Sequence, residues 1–60
     1  MRVVFFDKKK ETYEVVENAT HMHVDIYLEG KRNKVFVVYT ESAEVKFFPS
    51  KHYDLHKIDC

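Results

Sequence analysis

His21-Met22-His23-Val24-Asp25-Ile26-Tyr27-Leu28 alternates polar and apolar residues without a break. Successive side chains of an extended chain leave opposite faces of the pleat, so period two marks a β-strand with one apolar and one polar face. Met22, Val24, Ile26 and Leu28 form the apolar row; His21, His23, Asp25 and Tyr27 form the polar one. A helix would need its apolar residues three to four apart, and no stretch of the chain supplies that spacing over a useful length.

Working outward, strand signals recur at the spacing of an all-β chain. Residues 2–7 place Val3 and Phe5 on one face and Val4 and Phe6 on the other. Residues 11–18 carry Tyr13, Val15 and Val16, and the alternating run extends to about Glu29. Residues 34–41 oppose Val35, Val37 and Tyr39 to Phe36, Val38 and Thr40. A short strand at 44–48 is ended by Pro49, which lacks a ladder donor. Residues 53–59 break alternation at Tyr53, Leu55 and Ile58, which predicts a bulge or a short edge strand. The first and fourth strands are apolar on both faces and are therefore expected to be central. Gly30 and Asn33 are the residues best suited to positive φ in the turn between the third and fourth strands.

These signals predict one domain over residues 1–60, all-β, with five to six short antiparallel strands in a meander. The strands would form a small SH3-like barrel or a strongly curved sheet. A domain of sixty residues buries only about 60% of the surface its unfolded chain exposes, so oligomerisation is a natural supplement to its core. The single cysteine, Cys60, cannot close an internal disulfide, which favours a reducing, cytoplasmic setting. The apolar runs are too short for a signal peptide or a bilayer span, so no membrane partner is expected.

Ten basic and ten acidic residues cancel, and no global charge points to nucleic acid. If consecutive strands pair as hairpins, however, Lys8, Lys9, Lys10, Lys31, Arg32, Lys34 and Lys51 gather at one end with Asp7, Glu11 and Glu29. Seven cations against three carboxylates make that end +4, and the remainder of the chain −4. Such an end is a candidate phosphate-binding surface, with Tyr13, Tyr27, Tyr39 and Tyr53 as candidate stacking platforms.

The polar row of the opening strand is the second candidate. His21, His23 and Asp25 stand roughly 7 Å apart on one face, as a protein-binding surface or, in the alternative, a metal pair at His21 and His23. His52, His56 and Cys60 would supply further ligands only if the sixth strand lay nearby. The His-x-His-x-Asp spacing is similar to that of metallo-β-lactamase-fold hydrolases. The next residue here is Ile26 where that family has histidine, and its fold is several times longer, so five matching positions do not imply it. No nucleophile elbow, glycine-rich phosphate loop or other catalytic set is present, and no cofactor is expected.

Two broader resemblances bear on the chain. Phe48-Pro49-Ser50-Lys51-His52-Tyr53, followed by Leu55 and Ile58, resembles the last turn and strand of SH3 domains, with one residue inserted before the tyrosine. The early Ala-Leu-Tyr-Asp-Tyr segment and the tryptophans of a peptide groove are absent, so the resemblance implies a barrel and not proline-rich peptide binding. Met1-Arg2-Val3-Val4-Phe5-Phe6-Asp7, with the Phe-Pro turn and tyrosine-containing last strand, is similar to the short all-β orphan proteins of bacteriophages and other mobile elements. That likeness names no activity. The functional expectation is a non-enzymatic interaction module acting on a protein partner, a second copy of itself included. Its candidate face is His21, His23, Asp25 and Tyr27; nucleic acid at the basic end is the alternative.

Overall fold

The computed structural model describes residues 1–29 and 31–59, and for residues 27–29, 31 and 32 the backbone alone. Among the described residues there are six strands and no helix: β1 (Arg2–Asp7), β2 (Thr12–Val16), β3 (Ala19–Glu29), β4 (Lys31–Thr40), β5 (Val45–Pro49) and β6 (Tyr53–Asp59). They form two three-stranded antiparallel sheets, ordered β2-β1-β6 and β3-β4-β5. β1 and β4, the two strands apolar on both faces, are the centre of each sheet. A central strand has both its edges paired and its side chains flanked by neighbouring strands on either face, which is why the doubly apolar sequences settle there.

The expected run of hairpins is met at β1–β2, β3–β4 and β4–β5. Elsewhere the chain changes sheets. β6 pairs with β1 instead of β5, with a bulge where Val4 and Phe5 oppose Lys57 and Leu55, so His56 is the extra residue. β2 passes to β3 through Glu17-Asn18, and the corner is clamped by backbone bonds. The Ala19 N–H donates to the Met1 carbonyl at 3.1 Å, and the Met1 amino group donates back to the Ala19 carbonyl at 2.9 Å. No ladder among the described residues joins the two sheets.

The inner faces meet in one small core of Val3, Phe5, Val16, Ala19, Val38 and Phe48, bordered by Met1, Met22, Phe36, Tyr53 and Leu55. Phe5 lies at its centre, fully buried, stacked on Phe48 at 4.1 Å and tilted against Phe36 at 5.4 Å. Each such side chain contributes about 1.5–3 kcal/mol by leaving water, and the ring pairs add to that.

Turn chemistry differs from expectation at Asn33. The left-handed positions among non-glycine residues are Glu11 (φ 56°) and Ala43 (φ 65°). Asn33 belongs to β4, opposite Tyr27, and Gly30 lies outside the described residues. In the first turn the Asp7 carboxylate accepts the Lys9 and Lys10 N–H groups at 2.9 and 3.1 Å, and the Glu11 N–H donates to the Asp7 carbonyl. In the β4–β5 turn the Ala43 N–H donates to Thr40, and the Thr40 hydroxyl donates to the Glu44 carbonyl at 2.8 Å. Side chains that bond the backbone hold both turns where the sequence has no glycine.

The apolar row of β3 departs from the expected burial. Met22 borders the core, but Val24 and Ile26 remain 46% and 52% exposed. β3 and β4 are eleven and ten residues long, whereas the strands facing them are five to seven. The hairpin therefore runs past the opposite sheet, and Val24 and Ile26 have little to bury against.

Candidate functional site

Register sets the outer face of the second sheet in three rows across β3, β4 and β5. These are His21–Tyr39–Val45, His23–Val37–Phe47 and Asp25–Val35–Pro49. Directly opposed residues in an antiparallel pair share a face, so all nine project outward together. The candidate residues His21, His23 and Asp25 are thus one side of a continuous surface. Tyr27 follows on the same strand opposite Asn33, and its side chain lies outside the described residues.

Local contacts order this surface. The His21 ring stacks on Tyr39 at 4.2 Å, nearly parallel, and His23 tilts toward the same ring at 5.4 Å. His23 Nε2 lies 3.0 Å from Asp25 Oδ2, a contact that protonation of the imidazole turns into an ion pair. Thr20 Oγ1 donates to the Tyr39 carbonyl at 3.2 Å and lies beside His21 Nδ1. Beyond this polar border the face is apolar. Val37 is covered by its neighbours, but Phe47 is 63% exposed, and Val45 is also exposed. Sequence reasoning singled out the border and missed its apolar half, although the period-two pattern around Phe47-Phe48 was available as a signal.

As a metal site this face is poorly equipped. One imidazole is stacked on a tyrosine and the other is engaged by Asp25. Among the described residues no group of three or more histidine, cysteine or carboxylate side chains converges. β6 belongs to the other sheet, and His56 packs 4.9 Å from Tyr13 on that sheet. Cys60 lies outside the described residues.

The basic end takes its form from backbone bonds between turns. The Lys8 N–H donates to the His52 carbonyl and the Ser50 N–H to the Lys34 carbonyl, both at 2.9 Å. Lys8, Lys9, Lys10, Lys34 and Lys51 are thereby held in one region, whereas the side chains of Lys31 and Arg32 lie outside the described residues. Lys8 is occupied by the fold: its Nζ donates to the Ser50 carbonyl at 2.9 Å and pairs with Asp54 at 3.5 Å. A depression of about 250 Å³ lies between Asp7, Lys9, Lys10, His52 and Tyr53. The Asp7 carboxyl is held below its ordinary value, first by the Lys10 backbone N–H and then by that of Lys9, against an opposing effect of burial. Burial pushes the Tyr53 phenol up, helped by the charges of Glu14 and Asp7. Tyr13, Tyr39 and Tyr53 do not share one platform: Tyr13 packs on Phe6, Tyr39 on His21, and Tyr53 against Phe48.

No helix among the described residues is long and apolar enough to cross a membrane. Comparison with known proteins finds no family model, no curated protein and no solved structure that matches this chain.

Proposed function

We propose that this chain is a small non-enzymatic interaction module, a partly open SH3-like barrel that binds a protein partner through the outer face of β3-β4-β5. The observation that carries the reading is Phe47, 63% exposed and in one row with Val37 and, across β4, His23. A large apolar ring bordered by polar side chains is the composition of an interface centre with its rim. Ordered imidazole and carboxylate groups along that rim would give the contact direction and specificity. The single cysteine and the likeness to short phage and mobile-element proteins fit a cytoplasmic module acting on a host protein.

The test is affinity capture from nuclease-treated extract with wild-type protein and Phe47→Asp in parallel. A stoichiometric protein retained by the wild type and lost from the variant supports the reading. Equal capture by both, or recovery only of material that nuclease removes, refutes it.

The gathering of Lys9, Lys10, Lys34 and Lys51 by the two docked turns favours a second reading, single-stranded nucleic acid at the basic end. Phosphate contacts release counterions, so such binding must weaken steeply with salt. Fluorescence anisotropy with a labelled oligonucleotide separates the two: no binding at low salt removes the second reading and leaves the first.

A further inference from the structure

The two sheets leave four edges: β2, β6, β3 and β5. An exposed edge invites another strand, and proteins blunt it with short length, lysine, proline or a bulge. Three of the four edges are blunted in this way. β2 and β5 are five residues long, and β5 carries Lys46 and closes on Pro49. β6 is bulged against β1 and carries Lys57. β3 is different. It has eleven residues, its irregularity is confined to its start between Ala19 and His21, and it contains neither lysine nor proline. Past the Ala19–Met1 clamp, no strand among the described residues pairs with that edge.

The edge is also self-complementary. An antiparallel two-fold pairing centred on Val24 sets His23 opposite the partner's Asp25 and Asp25 opposite the partner's His23. On the other face it sets Met22 opposite the partner's Ile26, and Val24 opposite the partner's Val24. Over residues 22–26 each polar residue thus meets its complement and each apolar residue meets an apolar one; beyond them His21 falls opposite Tyr27 and Thr20 opposite Leu28. Neighbouring two-fold registers do worse. Centring on His23 opposes imidazole to imidazole, whereas centring on Asp25 opposes two carboxylates. The favoured register also covers Val24 and Ile26, which the monomer leaves about half exposed.

We infer that β3 is a homodimerisation edge, pairing antiparallel with a second copy about Val24 to make one continuous six-stranded sheet. This deepens the reading of the chain as an interaction module, and it uses the edge of the sheet where the proposed partner uses its outer face. The two functions are compatible, because strand pairing leaves the row of His23, Val37 and Phe47 open. Pairing at one edge buries a modest area, so the dimer belongs with weak, concentration-dependent associations.

Light scattering at a few hundred micromolar, with reductant present, tests the dimer. The wild type should show twice the 7.2 kDa mass of one chain, and Val24→Lys, which sets two ammonium groups on the axis, should show 7.2 kDa. Register is tested in a Cys60→Ser background under mild oxidation. Opposed residues at a two-fold axis stand about 4.5–5.5 Å apart, within disulfide reach. Val24→Cys should therefore cross-link to dimer, and Ile26→Cys, whose copies lie roughly 13 Å apart at 3.4 Å per residue, should not. A wild type that stays monomeric overturns the inference, as does a Val24→Lys variant that stays dimeric or an Ile26→Cys that cross-links as readily as Val24→Cys. Phe47→Asp should leave the dimer unchanged, so loss of the partner and loss of the dimer are read separately.

Discussion

Phe47 and Phe48 are adjacent in sequence and opposite in environment, and alanine at each position measures how far the two faces of β5 differ. Phe48 is 6% exposed and stacked on Phe5 at 4.1 Å. Phe→Ala in a core costs about 3–5 kcal/mol, the lost transfer energy plus a cavity. A sixty-residue domain holds roughly 3–9 kcal/mol in all, so Phe48→Ala should leave a large unfolded fraction at 25 °C. Phe48→Leu should retain a measurable transition. Phe47 presents the opposite case. A phenylalanine carries about 200 Å² of surface, and with 63% exposed only about 75 Å² is covered in the monomer. At about 25 cal/mol/Å² this is at most about 2 kcal/mol, and a surface position leaves no cavity. The roughly 125 Å² still exposed is available to a partner. Covering it is worth about 3 kcal/mol, so Phe47→Ala should weaken partner binding on the order of 100-fold. Urea titrations followed by tyrosine fluorescence and far-UV circular dichroism give the folding values. The reasoning fails if Phe47→Ala costs as much stability as Phe48→Ala, because β5 would then present the wrong face to the core.

Two further outcomes follow from the turns and from the titrating groups beside them. Ala43 holds a left-handed φ of 65°, so Ala43→Gly should relieve more strain than its added chain entropy costs, a gain of about 0.5–1 kcal/mol. In a domain this small, that gain raises the melting temperature by roughly 4–8 °C, and an unchanged or lower value would contradict the assigned turn. For pH, the lowered Asp7 pKa means its stabilising effect is present above the ordinary carboxylate value of 3.8 and is lost as pH falls through the lower folded value. The raised Tyr53 pKa means its effect is complete below about 10 and is lost as pH rises through the higher folded value. Asp7→Asn should flatten the acid limb of the stability profile and Tyr53→Phe the alkaline limb. Limbs unchanged in either variant would assign the pH dependence to other groups.

Strand identity was legible because it is a local property. Alternation along β3 and double apolarity in β1 and β4 reflect the pleat of each strand, and both features predicted the right elements and the right centres. What lay beyond reach was relational. Whether β6 turns back onto β5 or crosses to β1 depends on how the two sheets pack, with Phe48 against Phe5, a contact between residues forty-three positions apart. Asn33, expected as a left-handed turn residue, lies in β4, and the left-handed positions found elsewhere were hidden for a similar reason. Asp7 and Thr40 bond nearby backbone groups and so hold Glu11 and Ala43 in conformations that propensity would assign to glycine or asparagine. Within the candidate site, His21, His23 and Asp25 were legible as one face. Their association with Phe47 needed β4 to lie between them.

Alternation shows which residues share a face, and the opposing layer decides whether that face is buried. Val24 and Ile26 satisfy every local criterion for core positions, yet they stay exposed because β3 outruns the strands facing it. The same holds for the whole chain. Among the described residues, eight apolar side chains are buried and seven large ones are exposed. Polar groups show no such surplus, since no buried side-chain nitrogen or oxygen among the described residues lacks a partner. A fold whose polar bonding is complete while its apolar surface is not gains from association mainly through the hydrophobic effect, and little hydrogen bonding is left to repair. The exposed apolar groups are also unevenly placed. Phe47 and Val45 lie on the outer face of the second sheet, and Val24 and Ile26 lie on the inner side of its long hairpin. Two partners could therefore be held at once by one small sheet, a second copy along its edge and a different protein across its face.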